Sequence, residues 1–330
     1  MTWAPWGCGS PSPRLPHLAP KGLKLGSEAV SLGSMGTTDL TLLDGGTGTE
    51  LRARGVEVPC HRTSIWSARA LIEAPDEVVA VHRAFIEAGA QVITACNYAV
   101  TPILLEREGM GQRVEELTEL ALTLAERARE ESTQEVRIAA SLPPLDTSYR
   151  ADLVPDESAL REQYSRIAQV IGPRADLILC ETMSLGREAA VAAEVALETD
   201  SEVWLSWTLQ GNRAGILSGG ETLAEAFALA AHLPVHAYLV NCCAANLITD
   251  AIPRLVNLTD RPVGGYANAV DALVGEFNPL DPESTPGRPL DPVAYADAVE
   301  NWIAAGATLV GGCCHTGPAH LDEVRRRLQG

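Results

Sequence analysis

Positive charge is scarce in this sequence. Its 330 residues include 25 Lys and Arg against 43 Asp and Glu, which gives a formal net charge of −18 at pH 7. Nucleic acids and anionic membrane surfaces carry dense negative charge, so a chain this acidic is repelled by both. The charge balance therefore argues against a nucleic acid or a membrane as the natural partner.

Long apolar segments are also absent. No run of uncharged apolar residues approaches the roughly 20 that a membrane-spanning helix needs. The first residues do not combine a basic segment with an apolar core, which is the pattern of a secretory signal. We therefore expect a soluble, cytoplasmic protein without a membrane span.

The chain divides into a short leader and one long repetitive region. Residues 1–36 are rich in Pro, Gly and Ser and show no apolar periodicity, so we expect a disordered leader. Over residues 37–330, a short apolar run, a cluster of small or polar residues and a helical stretch alternate eight times. Eight such units predict a single (β/α)8 barrel with a parallel sheet. An open, doubly wound sheet is the alternative architecture.

Each unusual cluster of residues follows one of the predicted strands. The clusters are DGG after the first strand, CET after the fourth, NCC after the sixth, YAN after the seventh and GGCC after the eighth. In a (β/α)8 barrel the carboxyl ends of all strands open into one mouth, where the chemistry takes place. The fold and the motifs therefore predict the same active-site region.

Two pairs of adjacent cysteines stand out among the eight cysteines of the chain. Cys242 and Cys243 end the sixth strand, and Cys313 and Cys314 follow a pair of glycines at the end of the eighth. Adjacent cysteines are poorly placed to form a disulfide with each other. Because both strand ends face the mouth, three thiolates can meet around one Zn²⁺ ion and leave its fourth tetrahedral position open.

Strand geometry limits which thiols converge. Side chains alternate between the two faces of a strand, so only one of Cys242 and Cys243 is expected to point into the mouth. The two glycines, Gly311 and Gly312, permit a bent backbone on which both members of the second pair face inward. The alternative is that all four are buried core thiols, since free cysteine often packs as a small apolar residue.

Together these motifs resemble the homocysteine S-methyltransferase family. The resemblance covers essentially residues 40–328 and rests on DGGTGTEL at 44–51, IWSARALIEAPDEVVAVHRAFIEAGAQVI at 65–93, VNCC at 240–243 and GGCCHTGPAHL at 311–321. It implies a barrel in which Cys242, Cys313 and Cys314 hold zinc. The thiol of homocysteine is then the fourth ligand of the metal.

The resemblance also implies a site for the amino-acid part of homocysteine. Asp44 and Glu181 match the family's acidic residues after the first and fourth strands, and they would hold the α-amino group. The backbone N–H groups of Gly45 and Gly46 would approach the carboxylate. Asp44 also has a plainer interpretation, because an aspartate before two glycines often caps a turn.

The activity expected from this resemblance is methyl transfer between two small molecules. A small sulfonium donor, S-methylmethionine or S-adenosylmethionine, gives its methyl group to the zinc-bound thiolate of homocysteine, and methionine is formed. A positively charged donor favours a mouth that contains carboxylates and aromatic rings. The candidate aromatic walls are Trp66, Tyr98, Tyr149 and Tyr266.

Three alternatives remain open. Ala95 and Asn97 stand where the family usually has Thr and Ser or Thr, which favours a different thiol acceptor. A separate corrinoid protein is another possible source of the methyl group. A non-catalytic zinc or thiol protein is the third alternative, but such a site would close its fourth metal position with a protein ligand. The sequence does not indicate an oligomeric state.

Overall fold

A computed structural model describes residues 40–60, 63–210, 213, 215–272 and 287–329. The leader predicted for residues 1–36 lies outside these ranges. The strands are β1 (Thr41–Leu42), β2 (Val92–Thr94), β3 (Arg137–Leu142), β4 (Leu177–Met183), β5 (Val203–Trp207), β6 (Ala237–Ala244), β7 (Val263–Asn268), β8 (Val270–Ala272), β9 (Gly287–Pro289) and β10 (Leu309–Gly312).

Helices follow or separate most of these strands. They are α1 (Thr47–Ala53), α2 (Ala68–Glu73), α3 (Pro75–Glu87), α4 (Pro102–Glu106), α5 (Val114–Glu130), α6 (Glu157–Ile171), α7 (Gly186–Leu197), α8 (Leu223–Ala230), α9 (Ala245–Val256), α10 (Pro292–Ala304) and α11 (Pro318–Gln329). Within the described ranges, none of them is long and apolar enough to cross a membrane.

Eight parallel strands form one sheet that nearly closes on itself. The strand order is β1-β10-β7-β6-β5-β4-β3-β2. A parallel bridge between Leu43 and Val92 joins the two edge strands, and the Gln91 N–H donates to the Leu42 carbonyl at 2.7 Å. The architecture is therefore the predicted (β/α)8 barrel and not the open, doubly wound sheet. The short antiparallel pair of β8 and β9 lies apart from the barrel sheet.

Local sequence accounts for the ends of the helices. At the start of α10 the Asp291 carboxylate accepts a hydrogen bond from the Ala294 N–H at 2.9 Å, and Pro292 occupies the first helical position. Gly306 follows the same helix with a φ of 106°. Glycine adopts this left-handed conformation without a steric penalty, so the chain can leave the helix and enter β10.

The barrel interior is a small core of its own. Buried side chains from every barrel strand or its immediate end pack there, among them Val92, Trp204 and Leu309. A larger cluster fills the space between the strands and the surrounding helices. Cys313 packs against the interior cluster. The filled interior therefore forms the floor on which the cysteines of the mouth lie.

Candidate active site at the barrel mouth

A cavity of about 230 Å³ opens at the carboxyl-terminal mouth of the barrel. Its wall contains every residue that the sequence predicts for the site: Asp44, Gly45, Gly46, Glu181, Cys242, Cys313 and Cys314. These residues come from the ends of β1, β4, β6 and β10, which the nearly closed sheet gathers around one opening. The structure therefore brings all of them together.

The three predicted metal ligands form a compact group. The sulfur atoms of Cys242, Cys313 and Cys314 all lie within 4.8 Å of one another. Thiolates at about 2.3 Å from a tetrahedral Zn²⁺ ion lie about 3.8 Å apart, so small shifts of these side chains are enough to hold the ion. Within the described residues, no His, Asp or Glu joins the group as a fourth ligand. Cys243 is not part of this group: it packs in the hydrophobic core and also lines the cavity, so both members of the pair reach the mouth, contrary to the expectation from strand alternation.

The group keeps the Cys313 thiol protonated. Hydrogen bonds with Cys242 and Cys314, together with burial, raise the pKa of the Cys313 thiol far above its usual value. Cys313 therefore resists ionisation by itself. A divalent cation replaces thiol protons when it binds, so the group is suited to exchanging protons for a metal.

An irregularity in β6 aims Cys242 into the mouth. The pairing of β6 with β7 shifts register between Asn241 and Ala244, and Cys242 has a φ of 53°. The same feature occurs in β4, where Thr182, next to Glu181, has a φ of 61°. Residues with a side chain rarely adopt positive φ, and they keep it only where neighbouring contacts hold them.

One buried side chain, that of Asn241, ties these two irregular strands together. Its Oδ1 atom accepts hydrogen bonds from the Thr182 N–H at 2.9 Å and the Ser206 hydroxyl at 2.7 Å. Its Nδ2 atom donates to the Thr182 hydroxyl at 2.8 Å. The relative positions of Glu181 and Cys242 therefore depend on Asn241. Sequence reasoning singled out the motif that contains this residue but missed its role.

Close packing explains the two glycines that precede the second cysteine pair. Neither Gly311 nor Gly312 has a positive φ. A Cβ atom on Gly311 would lie 2.6 Å from the Leu43 Cβ atom, and one on Gly312 would lie 2.2 Å from the Thr316 Cγ2 atom. The predicted role of these glycines is therefore corrected. They leave room for Leu43 and Thr316, and the chain changes direction only after β10 ends at Gly312.

Two buried carboxyl groups face the same cavity. Asp44 accepts hydrogen bonds from the Thr94 N–H at 2.8 Å and from the Thr94 hydroxyl at 3.3 Å, which explains its orientation. Glu181 accepts one from the Tyr266 hydroxyl at 3.2 Å. Burial raises the pKa of Asp44 to about 8 and that of Glu181 to about 7. In the described part of the chain, no basic side chain pairs with either group. A cationic ligand would favour their ionisation.

The backbone after β1 has no room for side chains. A Cβ atom on Gly45 would lie 2.3 Å from the Thr316 carbonyl oxygen, and one on Gly46 would lie 2.4 Å from the Cys313 carbonyl oxygen. The Gly46 N–H donates to the Thr316 carbonyl at 2.9 Å. The Gly46 N–H, which the resemblance assigned to the substrate, is therefore occupied by a hydrogen bond within the protein. The Gly45 N–H is the remaining candidate to contact the carboxylate of the substrate.

Aromatic side chains complete the wall, as the sequence predicts. The Tyr98 and Ser148 hydroxyls are 2.7 Å apart. The Tyr149 hydroxyl lies 2.8 Å from the Cys242 sulfur, a contact that sequence reasoning missed because the two residues are far apart in the chain. All four predicted aromatic residues line the cavity: Trp66, Tyr98, Tyr149 and Tyr266.

The two positions that differ from the family pattern have different surroundings. Ala95 lines the cavity. Asn97 is fully buried and pairs with the backbone of Ser141. Its Nδ2 atom donates to the Ser141 carbonyl at 2.7 Å, and its Oδ1 atom accepts from the Ser141 N–H at 3.0 Å. Asn97 therefore joins the end of β2 to β3. Of these two residues, only Ala95 faces the cavity.

Comparison with known proteins gives a consistent result. The family model of homocysteine S-methyltransferase matches residues 41–328. The homocysteine S-methyltransferase of Escherichia coli K12 is 31% identical over 305 residues, which are 88% of this chain and 95% of that protein. Homocysteine S-methyltransferase 4 of Zea mays is 31% identical over 315 residues, 87% of this chain and 89% of that protein.

A solved structure agrees with the sequence matches. The crystal structure of the homocysteine methyltransferase MmuM from Escherichia coli in its metallated form has a TM-score of 0.74 and 30% identity with this chain. The match covers 88% of this chain and 96% of that one. Because the family model spans the barrel from β1 into α11, this chain belongs to the homocysteine S-methyltransferase family and is an enzyme of the methyltransferase class.

Proposed function

We propose that the protein is a zinc-dependent enzyme that moves a methyl group from a small sulfonium compound, S-methylmethionine or S-adenosylmethionine, to homocysteine, giving methionine. One observation carries the proposal. In the described chain, an open group of three cysteines shares its cavity with two buried carboxyl groups that have no basic partner. A metal on the cysteines would bind a thiol, the carboxylates would bind an ammonium group, and homocysteine carries both groups.

The donor set favours zinc over other common ions. Thiolate-rich tetrahedral sites select zinc, whereas Mg²⁺ and Ca²⁺ prefer oxygen ligands. Cys242, Cys313 and Cys314 would hold the ion, and the cavity side of the group has room for the acceptor sulfur. When bound, zinc lowers the pKa of an acceptor thiol so that its sulfur is a thiolate at neutral pH.

The two carboxylates orient the acceptor. Asp44 is fixed by Thr94 and Glu181 by Tyr266, so both present their remaining oxygen lone pairs from defined positions. An α-ammonium group held by both carboxylates anchors one end of homocysteine, and a metal held by Cys242, Cys313 and Cys314 would anchor the other. Fixing both ends of a small substrate converts the encounter with the donor into an oriented reaction, which is a large part of catalysis.

The chemical step exchanges one sulfur–carbon bond for another. The acceptor thiolate attacks the methyl carbon in line with the bond to the donor sulfur. The electron pair of the broken bond stays on that sulfur, and the donor leaves as a neutral thioether. The thiol proton of homocysteine passes to the solvent before this attack. The aromatic and acidic wall of the cavity favours a donor that arrives with positive charge.

A non-catalytic metal site fits the geometry less well. Such a site needs a fourth protein ligand, and none joins the cysteines within the described residues. It also gives no reason for burying two carboxyl groups without basic partners beside the metal. A different thiol acceptor or a corrinoid methyl donor would use the same site, so an assay of the reaction separates them from homocysteine and a sulfonium compound.

A methyl-transfer assay tests the proposed reaction. The purified protein, with its metal content measured, is incubated with homocysteine and methyl-deuterated S-methylmethionine, S-adenosylmethionine or betaine, and methionine is detected by mass spectrometry. We expect labelled methionine from a sulfonium donor, loss of activity after chelation and recovery with zinc. One zinc per chain without methionine from any of these donors contradicts the substrate assignment and directs attention to cysteine, selenocysteine or a methylated corrinoid protein as the missing reactant.

Acceptor binding should weaken in acid. An ammonium group needs ionised carboxylates, and the free protein holds the pKa of Asp44 at about 8 and that of Glu181 at about 7. As the pH falls through these values, both groups take up protons and the ammonium group loses its partners. Methionine is the best probe because it has the same ammonium group and no thiol proton. Its Kd on the zinc-loaded protein, measured by calorimetry, should rise by roughly tenfold from pH 8 to pH 7, where Asp44 takes up a proton, and by up to about a hundredfold per pH unit below pH 7, where both groups do. A Kd that is constant from pH 8 to pH 6 contradicts the assigned roles of the two carboxyl groups.

A further inference from the structure

A tyrosine from outside the ligand-bearing strands reaches the metal-binding group. Tyr149 lies in the segment between β3 and α6, whereas Cys242 lies in β6. The Tyr149 hydroxyl oxygen is 2.8 Å from the Cys242 sulfur and 3.0 Å from the Cys242 carbonyl oxygen. One hydroxyl therefore contacts both ends of the same candidate ligand.

We propose that Tyr149 is a positioning residue of the metal centre, which holds the sulfur of Cys242 in the place where it joins Cys313 and Cys314. The inference rests on the proposed role of these three cysteines as metal ligands. Tyr149 itself is not a ligand in this assignment. It acts on the metal through Cys242.

Cys242 needs such support because of its backbone. Its φ of 53° lies in the left-handed region, and the regular pairing of β6 with β7 is interrupted there. This conformation carries a strain that surrounding contacts must offset. The Cys242 carbonyl also accepts a hydrogen bond from the Thr208 hydroxyl, at the longer distance of 3.4 Å. Of these two hydroxyls, that of Tyr149 makes the shorter contact with the carbonyl and also contacts the sulfur.

The segment that carries Tyr149 is anchored where it approaches the metal group. Three contacts join it to the segment after β2: the Thr101 hydroxyl with the Leu145 carbonyl at 2.8 Å, the Arg107 guanidinium with the Thr147 hydroxyl at 2.7 Å, and the Tyr98 hydroxyl with the Ser148 hydroxyl at 2.7 Å. Tyr149 itself has a φ of 67°. The three anchoring contacts directly before Tyr149 fix the position of this strained residue. The surroundings of both Tyr149 and Cys242 therefore determine the contact between them.

The hydroxyl also has a chemical use once a metal is bound. A metal-bound cysteine is a thiolate and accepts hydrogen bonds. A donor to the ligand atom limits the rotation of the side chain and draws charge from the sulfur, as hydrogen bonds to metal ligands generally do. Phenylalanine fills the same space without the donor, so Tyr149→Phe isolates the contribution of the hydroxyl.

The test compares Tyr149→Phe with Tyr238→Phe. Both variants remove one tyrosine hydroxyl, but Tyr238 lies earlier in β6, its hydroxyl donates to the Ala230 carbonyl at 3.4 Å, and it does not line the cavity. Zinc affinity is measured by competition with a chelator, and the sulfur-to-cobalt charge-transfer band is recorded after loading with Co²⁺. We expect Tyr149→Phe to bind zinc about 10-fold more weakly or worse and to shift the cobalt band, as is usual when a hydrogen-bond partner of a metal ligand is removed. Tyr238→Phe should change neither by more than about twofold on the same reasoning.

The outcomes separate this inference from the proposed function. If wild-type protein and Tyr149→Phe bind zinc equally well with the same cobalt spectrum, the positioning role is wrong and the metal centre stands. If Tyr238→Phe weakens zinc binding as much as Tyr149→Phe, the loss of a tyrosine hydroxyl elsewhere in the barrel has the same effect and the contact with Cys242 is not the cause, which also overturns the inference. If wild-type protein binds no zinc, the metal centre itself is wrong and the role of Tyr149 falls with it. Thermal unfolding curves identify any variant that has lost its fold.

Discussion

Replacing Cys314 with alanine should abolish metal binding and methyl transfer while the barrel stays folded. Three sulfur atoms form the site, and the variant leaves two of them. Removing a hydrogen-bond partner of a metal ligand already costs roughly 10–100-fold in metal affinity, so the loss of a ligand should exceed that range. Cys314 is half-buried and follows the end of β10, so its truncation leaves little empty volume in the core. Metal analysis, circular dichroism and the methyl-transfer assay measure the three consequences.

The adjacent pair in β6 supplies a matched control. Cys242 belongs to the group of three sulfur atoms, whereas Cys243 packs in the hydrophobic core and lines the cavity outside that group. Cys242→Ala should therefore lose zinc as Cys314→Ala does, and Cys243→Ala should retain one zinc per chain. Full activity in a metal-free Cys314→Ala protein would show that the reaction does not use this centre. Equal zinc loss in both variants of the pair would show that the assignment of Cys242 as the ligand is incorrect.

Replacing Glu181 with glutamine should weaken acceptor binding strongly and leave the zinc content unchanged. The substitution keeps the size of the side chain and an oxygen for the Tyr266 hydroxyl, which donates to Glu181 at 3.2 Å. It removes the negative charge that the ammonium group needs. Loss of a buried, charged hydrogen-bond partner costs about 2–4 kcal/mol, or roughly 30-fold to 900-fold in affinity. Calorimetric titration of homocysteine and methionine into the zinc-loaded protein measures the effect.

A second buried glutamate distinguishes the role in binding from a general effect of burial. Glu188 lies in α7, is 1% exposed and has a pKa that burial raises to about 7, as does Glu181. The Tyr164 hydroxyl donates to it at 3.3 Å. Unlike Glu181, it does not line the cavity. Glu188→Gln should therefore leave the affinity for both amino acids unchanged. If Glu181→Gln binds them as tightly as wild type, the ammonium group is held elsewhere.

The backbone around the site shows why its finer geometry escaped sequence reasoning. Strand alternation predicts that only one of Cys242 and Cys243 faces the mouth. In the structure both line the cavity beside a shift of register in β6, and only Cys242 joins the other two sulfur atoms. That shift is held by Asn241, whose partners Thr182 and Ser206 lie in two other strands. Hydrogen bonds between residues this far apart in the chain leave no periodic pattern in a single sequence. The same holds for Tyr149 and Cys242.

The roles of three glycines near the site also could not be predicted from the sequence. Gly311 and Gly312 were expected to bend the chain, and the Gly46 N–H was expected to contact the substrate. In the structure Gly311 and Gly312 leave room for Leu43 and Thr316, and the Gly46 N–H donates to the Thr316 carbonyl. A glycine in a sequence signals that a side chain is not tolerated or that an unusual angle is needed. Only the neighbours in space decide between these reasons.

The sequence by itself determined the architecture and the location of the site. Apolar runs alternating with helical stretches specify strands and helices through local periodicity, and a nearly closed parallel sheet carries every motif that follows a strand to the same mouth. Three features were decided by the tertiary structure alone. They are the hydrogen bond that occupies the Gly46 N–H, the hydrogen bonds by which Asn241 joins β4 to β6, and the contact of the Tyr149 hydroxyl with Cys242. The physical reason is that strand order follows from local patterns and closure, whereas register shifts, strained residues and buried hydrogen bonds are set by contacts between distant parts of the chain.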